Sequence, residues 1–88
     1  MDSYKFQKAC KEWLIMYYKE NFKKDMNIED IFVVWSCKIL QNNKILISTT
    51  LLDGIYVECT QNGYKQETYF DIYQKQKNIM FSNGELFG

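Results

Sequence analysis

The sequence predicts an α+β domain, a long N-terminal helix packed on a four-stranded antiparallel meander sheet, with a short C-terminal helix after the last strand. Three observations carry this reading. The first two dozen residues hold apolar side chains at helical spacing, with no Gly or Pro among them. Residues 31–70 divide into four runs rich in β-branched and aromatic side chains. The breaks between those runs hold Asn, Asp and Gly in the combinations that close hairpins. Eighty-eight residues suffice for one core and leave no room for a second, so 1–88 is read as a single domain.

The helix is expected over about residues 3–24, with Asp2 or Ser3 capping its first free amides. Phe6, Ala9, Cys10, Trp13, Leu14, Met16 and Tyr17 share the broad face that should lie on the core. A second stripe, Tyr4, Ile15, Tyr18 and Phe22, falls on roughly the opposite side among Lys8 and Lys11. Either later chain covers it or it is a contact surface.

Residues 23–30 connect helix to sheet. The first strand, about 31–40, alternates Val33, Trp35, Cys37 and Ile39 against Phe32, Val34, Ser36, Lys38 and Leu40. Gln41-Asn42-Asn43 supplies turn residues before a second strand at about 44–51. Asp53-Gly54 reads as a type I′ turn into a third strand at about 55–60, and Asn62-Gly63 as a turn into a fourth at about 64–70. After Asp71, residues 72–77 are assigned the short helix. Residues 82–88, which follow the apolar cluster Ile79, Met80 and Phe81, are expected to fray.

Composition excludes several functions. All eleven cations are Lys and match eleven acids, so no guanidinium fork is present to grip phosphate or guanine in two places, and direct nucleic-acid binding is disfavoured. There is no His, the usual base for activating Ser or Cys, and no Cys-x-x-Cys pair, so neither a hydrolytic triad nor a structural zinc site can be assembled in the ordinary way. The four glycines form no phosphate loop. No catalytic residue, metal or cofactor is therefore expected. Cys10, Cys37 and Cys59 are widely spaced and odd in number, which fits buried thiols in a reducing cytoplasm. No apolar run approaches the roughly 18 residues of a membrane span, and no charged leader precedes an apolar run. Glu58 and Glu67 could face each other on the last two strands, but exposed acids near Lys38, Lys44 and Lys65 read better as solvated cross-strand pairs.

What remains is recognition. Aromatic residues make up 17% of the chain, more than a core this small hides, so some of them should form surface. The candidate binding set is Tyr4, Tyr18 and Phe22 on the helix, the hydroxyls of Ser48 and Thr50, and the rings of Tyr56, Tyr64, Tyr69 and Tyr73. Such a set can stack on a base or make a protein interface.

Trp35-Ser36-Cys37-Lys38, Leu40 to Lys44, Ser48 to Thr50, Asp53-Gly54 and Asn62-Gly63, together with the preceding Lys8 to Tyr18, carry a resemblance across nearly the whole chain. It resembles a family of short phage and prophage proteins of low-GC Gram-positive bacteria whose function is unknown, so no site residue carries over. The resemblance implies a phage-encoded protein in the host cytoplasm, without enzymatic activity, that blocks a host antiviral defence component in the manner of an anti-CRISPR inhibitor. An alternative is a homo-oligomer that sequesters a nucleotide second messenger between subunits, and a third is a small phage regulator.

Overall fold

A computed structural model describes residues 3–88. Helix α1 (Ser3–Phe22) precedes a single 3-10 turn (Ile28–Asp30) and strands β1 (Ile31–Ile39), β2 (Asn42–Thr49), β3 (Ile55–Asn62) and β4 (Glu67–Gln74), and a short helix α2 (Asn83–Phe87) follows. The strands form one open antiparallel sheet in the order β1-β2-β3-β4. The architecture is the expected α+β meander. The expected cap at Asp2 lies outside the described residues, and Ser3 is itself helical.

The core lies between α1 and one face of the sheet. From the helix come Phe6, Cys10, Leu14 and Tyr18, one i, i+4 row. From the sheet come Ile31, Ile45, Ile47, Ile55, Val57 and Cys59, while Met26 closes one end. Side chains four apart stack over one another on a helix, so a straight contact with a sheet buries such a row rather than a broad fan. This corrects the expected helix face. Ala9 and Met16 are exposed, whereas Trp13 and Tyr17 pack at its margin. Trp13 stacks flat on Phe70 of β4, centroids 4.1 Å apart and planes within 5°, which anchors the helix toward that edge.

The helix ends at Phe22, where Lys23 takes a left-handed conformation (φ 54°) and the amides of Lys23 and Lys24 return to the carbonyls of Lys19 and Tyr18. The turns differ from expectation in instructive ways. Ile39 pairs with Asn42, so the first hairpin turns at Leu40-Gln41, with Leu40 at φ 55°. Asn42 and Asn43 lie in β2 instead. There the Asn42 side chain accepts the Gly63 amide, and Asn43, buried, donates to Gln61 at 2.8 Å. These residues join β2 to β3 rather than closing β1 on β2.

Asp53-Gly54 sits in a five-residue loop, not a two-residue turn, and only Gly54 (φ 72°) takes the left-handed region. The last hairpin spans Gly63 to Gln66, with the Asn62 carboxamide accepting the amides of Tyr64 and Lys65 as an Asx turn and Gln66 at φ 57°. Strand β4 then continues to Gln74, so the helix expected at 72–77 does not form there. The short helix lies further on, in the segment read as fraying, where the Ser82 hydroxyl accepts the Glu85 amide.

Candidate functional site

Among the described residues no helix packs on the far side of the sheet. Directly paired residues on neighbouring strands point to the same face, so the register assigns that face row by row. One row runs Phe32, Ser48, Tyr56, Tyr73 across all four strands. The next runs Trp35, Leu46, Glu58, Asp71, and a third Cys37, Lys44, Thr60, Tyr69. The intervening rows, such as Val33, Ile47, Val57, Ile72, face α1.

The placement of Phe32 and Trp35 on one face comes from a β-bulge between Val33 and Trp35. Simple alternation assigned Phe32 and Trp35 to opposite faces. The extra residue, Val34, lets Val33 face the core and then shifts the phase, so both large rings point away from the helix. Phe32 (45%), Trp35 (40%), Tyr69 (51%) and Tyr73 (52%) are exposed, with Leu46 and Tyr56 half-covered between them. At its centre Lys44 meets Glu58 at 3.4 Å. This is the solvated cross-strand pair expected there, and the cross-strand neighbour of Glu58 is Asp71, not Glu67. The face therefore combines aromatic area with more carboxylates than ammonium groups.

The remaining candidate residues scatter. Tyr18 is a core residue, 1% exposed, its hydroxyl donating to the Asp53 carboxylate at 2.6 Å. Burial first, and then that carboxylate, push its pKa up to about 12. Phe22 is exposed and tilts against the Tyr18 ring, and the two line a 440 Å³ cleft with Leu51, Leu52 and Gln74. Tyr4 is remote from both, beside Lys8, Lys11 and Glu29. The second stripe is thus no continuous surface, since its middle is inside the protein.

Ser48 is buried and donates to the Ile55 carbonyl at 2.8 Å. With Tyr56 it borders a second cleft of about 370 Å³, whose other wall is Lys75 to Asn78. Thr50 is an exposed loop residue whose amide bonds the Asp30 carbonyl. Tyr64 stands on the last hairpin. The Tyr69 hydroxyl donates to Glu67, which raises its pKa. Of the nine candidates, Tyr56, Tyr69 and Tyr73 belong to the open face, with Ser48 beneath it. Phe32 and Trp35 were missed as a pair because the bulge that gathers them leaves no mark in the period of the sequence, and Leu46 joins them only through the pairing of β1 with β2.

The thiols also divide. Cys10 and Cys59 are buried against one another across the helix–sheet contact, and the hydrogen bond to Cys10, with burial second, pushes the Cys59 pKa well up. Cys37 is exposed, contrary to its expected burial, because the bulge places it on the open face. Alkylation of the native protein should add one label, at Cys37, and alkylation in denaturant three. Peptide mass spectrometry reads the difference, and rapid native labelling of Cys10 would contradict this packing.

Among the described residues no group of His, Cys, Asp and Glu could hold a metal ion, and no helix is long and apolar enough to cross a membrane. A family model described as a family of unknown function, DUF6275, matches residues 7–83, from the first turns of α1 to the start of α2. No curated protein and no solved structure matches the chain.

Proposed function

The chain belongs to the DUF6275 family of unknown function, and we propose that it is a non-enzymatic binding protein that docks on a protein partner through the open face of its sheet. The observation that carries this reading is the set of rings on two adjacent rows of one face: Phe32 and Trp35, brought to the same side of β1 by the bulge, with Tyr56 and Tyr73 across the sheet. Rings on a rigid sheet offer contact area at little entropic cost, and one small sheet face approaches the roughly 800 Å² per partner of a specific interface. Glu58, Asp71 and Glu67 outnumber Lys44 there, which disfavours a phosphate backbone and suits a partner surface that is apolar and basic. Following the phage resemblance of the sequence, we assign the partner to the host's antiviral defence and the action to stoichiometric inhibition in the host cytoplasm.

One observation favours a second reading, nucleotide sequestration. The cleft between Tyr56 and residues 75–78 sets an aromatic ring near Lys75 and Lys77, which suits a base and a phosphate. The test for both is capture from host lysate with the intact chain and with Trp35→Ser/Tyr73→Ser. A host protein retained in stoichiometric amount by the first and lost by the second is expected. Retention by both, or of nothing, overturns the docking reading, and a nucleotide released on heating that Lys75→Ala/Lys77→Ala abolishes supports the second.

A further inference from the structure

Residues 79–88 leave the body of the domain. Ile79 (67% exposed), Met80 (80%), Phe81 (58%), Leu86 (62%) and Phe87 (80%) place five large apolar side chains in nine residues, all facing water. The hydrogen bonds of this segment run within it, from Ser82 to Glu85 and along α2. The radius of gyration is 15.6 Å, against the roughly 12 Å of a compact chain this long. The protein thus presents two unpartnered apolar surfaces at once, an aromatic sheet face and an apolar arm.

We propose that residues 79–87 are an arm that packs on the open sheet face of a second copy, exchanged reciprocally in a two-fold dimer. A two-fold axis that seats one arm seats both, so the contact closes without leaving a free end to propagate. The arm fits the face in size. Three strand spacings of about 4.8 Å make the sheet roughly 15 Å wide, which four extended residues and a short helix can cross. Five side chains that each lose on the order of 100 Å², with equal loss from the face beneath, bury about 2,000 Å² over the two arms, within the range of stable interfaces. The aromatic rows accept Phe81 and Phe87, and Glu85 is the one charged residue of the arm.

The dimer stands independently of the docking reading. If that reading holds, the arm covers the docking face in the dimer, and partner binding draws on the monomer.

Light scattering on the intact chain at about 100 μM, far above the micromolar Kd that the weaker interfaces of this size reach, should give twice the 10.6 kDa chain mass. Phe81→Ser/Phe87→Ser, at exposed positions that leave the fold alone, should give the single-chain mass with an unchanged circular dichroism spectrum, as should Trp35→Ser/Tyr73→Ser on the face. A single-chain mass for the intact protein overturns the proposal, including the outcome in which the arm folds on its own sheet. So does a dimer that survives both double variants. A monomer that still captures a host protein would refute the arm and leave the docking reading standing. A dimer without any captured partner would do the reverse.

Discussion

Tyr18→Ala is expected to cost about 3–5 kcal/mol of folding stability, whereas Phe22→Ala, four residues on, should cost less than about 1 kcal/mol. By helical wheel the two are equivalent members of one stripe. In the fold Tyr18 fills the end of the core row begun by Phe6, Cys10 and Leu14, and Phe22 is about half exposed. Urea denaturation of the two single variants reads the difference, and near-equal losses would contradict the burial of Tyr18.

The same side chain confers a pH dependence whose sign follows from its partner. The phenol has an ordinary pKa near 10 and is held at about 12 in the folded protein by burial and by the Asp53 carboxylate. The folded state therefore holds this proton more tightly than the unfolded chain. Its contribution is complete below pH 10 and is lost as the pH rises from 10 through 12. Tyr18→Phe removes the hydrogen bond at a cost of about 1–2 kcal/mol near neutral pH. It should also flatten the alkaline loss. The readout is the difference in urea midpoint between the two proteins from pH 9 to 12, in which everything the two proteins share cancels. A difference that stays constant over that range would show that Tyr18 does not titrate with folding.

Gly63→Ala is the second large effect. A β-carbon at Gly63 would stand 2.3 Å from the carbonyl oxygen of Gln41 and 2.9 Å from its β-carbon, where the tip of the first hairpin meets the end of β3. Backbone cannot rotate out of the way as a side chain can, so the hairpins must separate. That also strains the Gly63 amide bond to the Asn42 side chain. A loss of about 3 kcal/mol is expected, at the upper end for overpacking, lowering the melting temperature by roughly 15 °C. The other glycines grade the result. Gly54→Ala should cost about 1 kcal/mol for its left-handed φ of 72°. Gly84→Ala, with only the Ser82 hydroxyl near, should be close to neutral. If Gly63→Ala melts with Gly84→Ala, the hairpin contact is absent.

The turn residues show how local chemistry can be read correctly in kind and wrongly in use. Asn62-Gly63 looks like a tight type I′ turn. In the protein the Asn side chain builds a four-residue turn, and the glycine is needed for closeness to another hairpin rather than for its conformational freedom. Leu40, a residue no turn preference selects, takes the positive φ at the first hairpin because pairing of β1 with β2 dictates where the chain must reverse.

By itself the sequence determined the main elements and their order: a long helix, then four strands joined by hairpins, in a chain without His. These follow from periodicity and residue type, which act over a few neighbours and survive in any packing. Only the tertiary structure decided which side of each element is covered. The i, i+4 row that meets the sheet took Tyr18 from the surface into the core. One unpaired residue at Val34 turned Phe32, Trp35 and Cys37 together onto the open face. Both outcomes depend on registry between segments distant in the chain, and in a strand of period two a shift of a single residue reverses the answer.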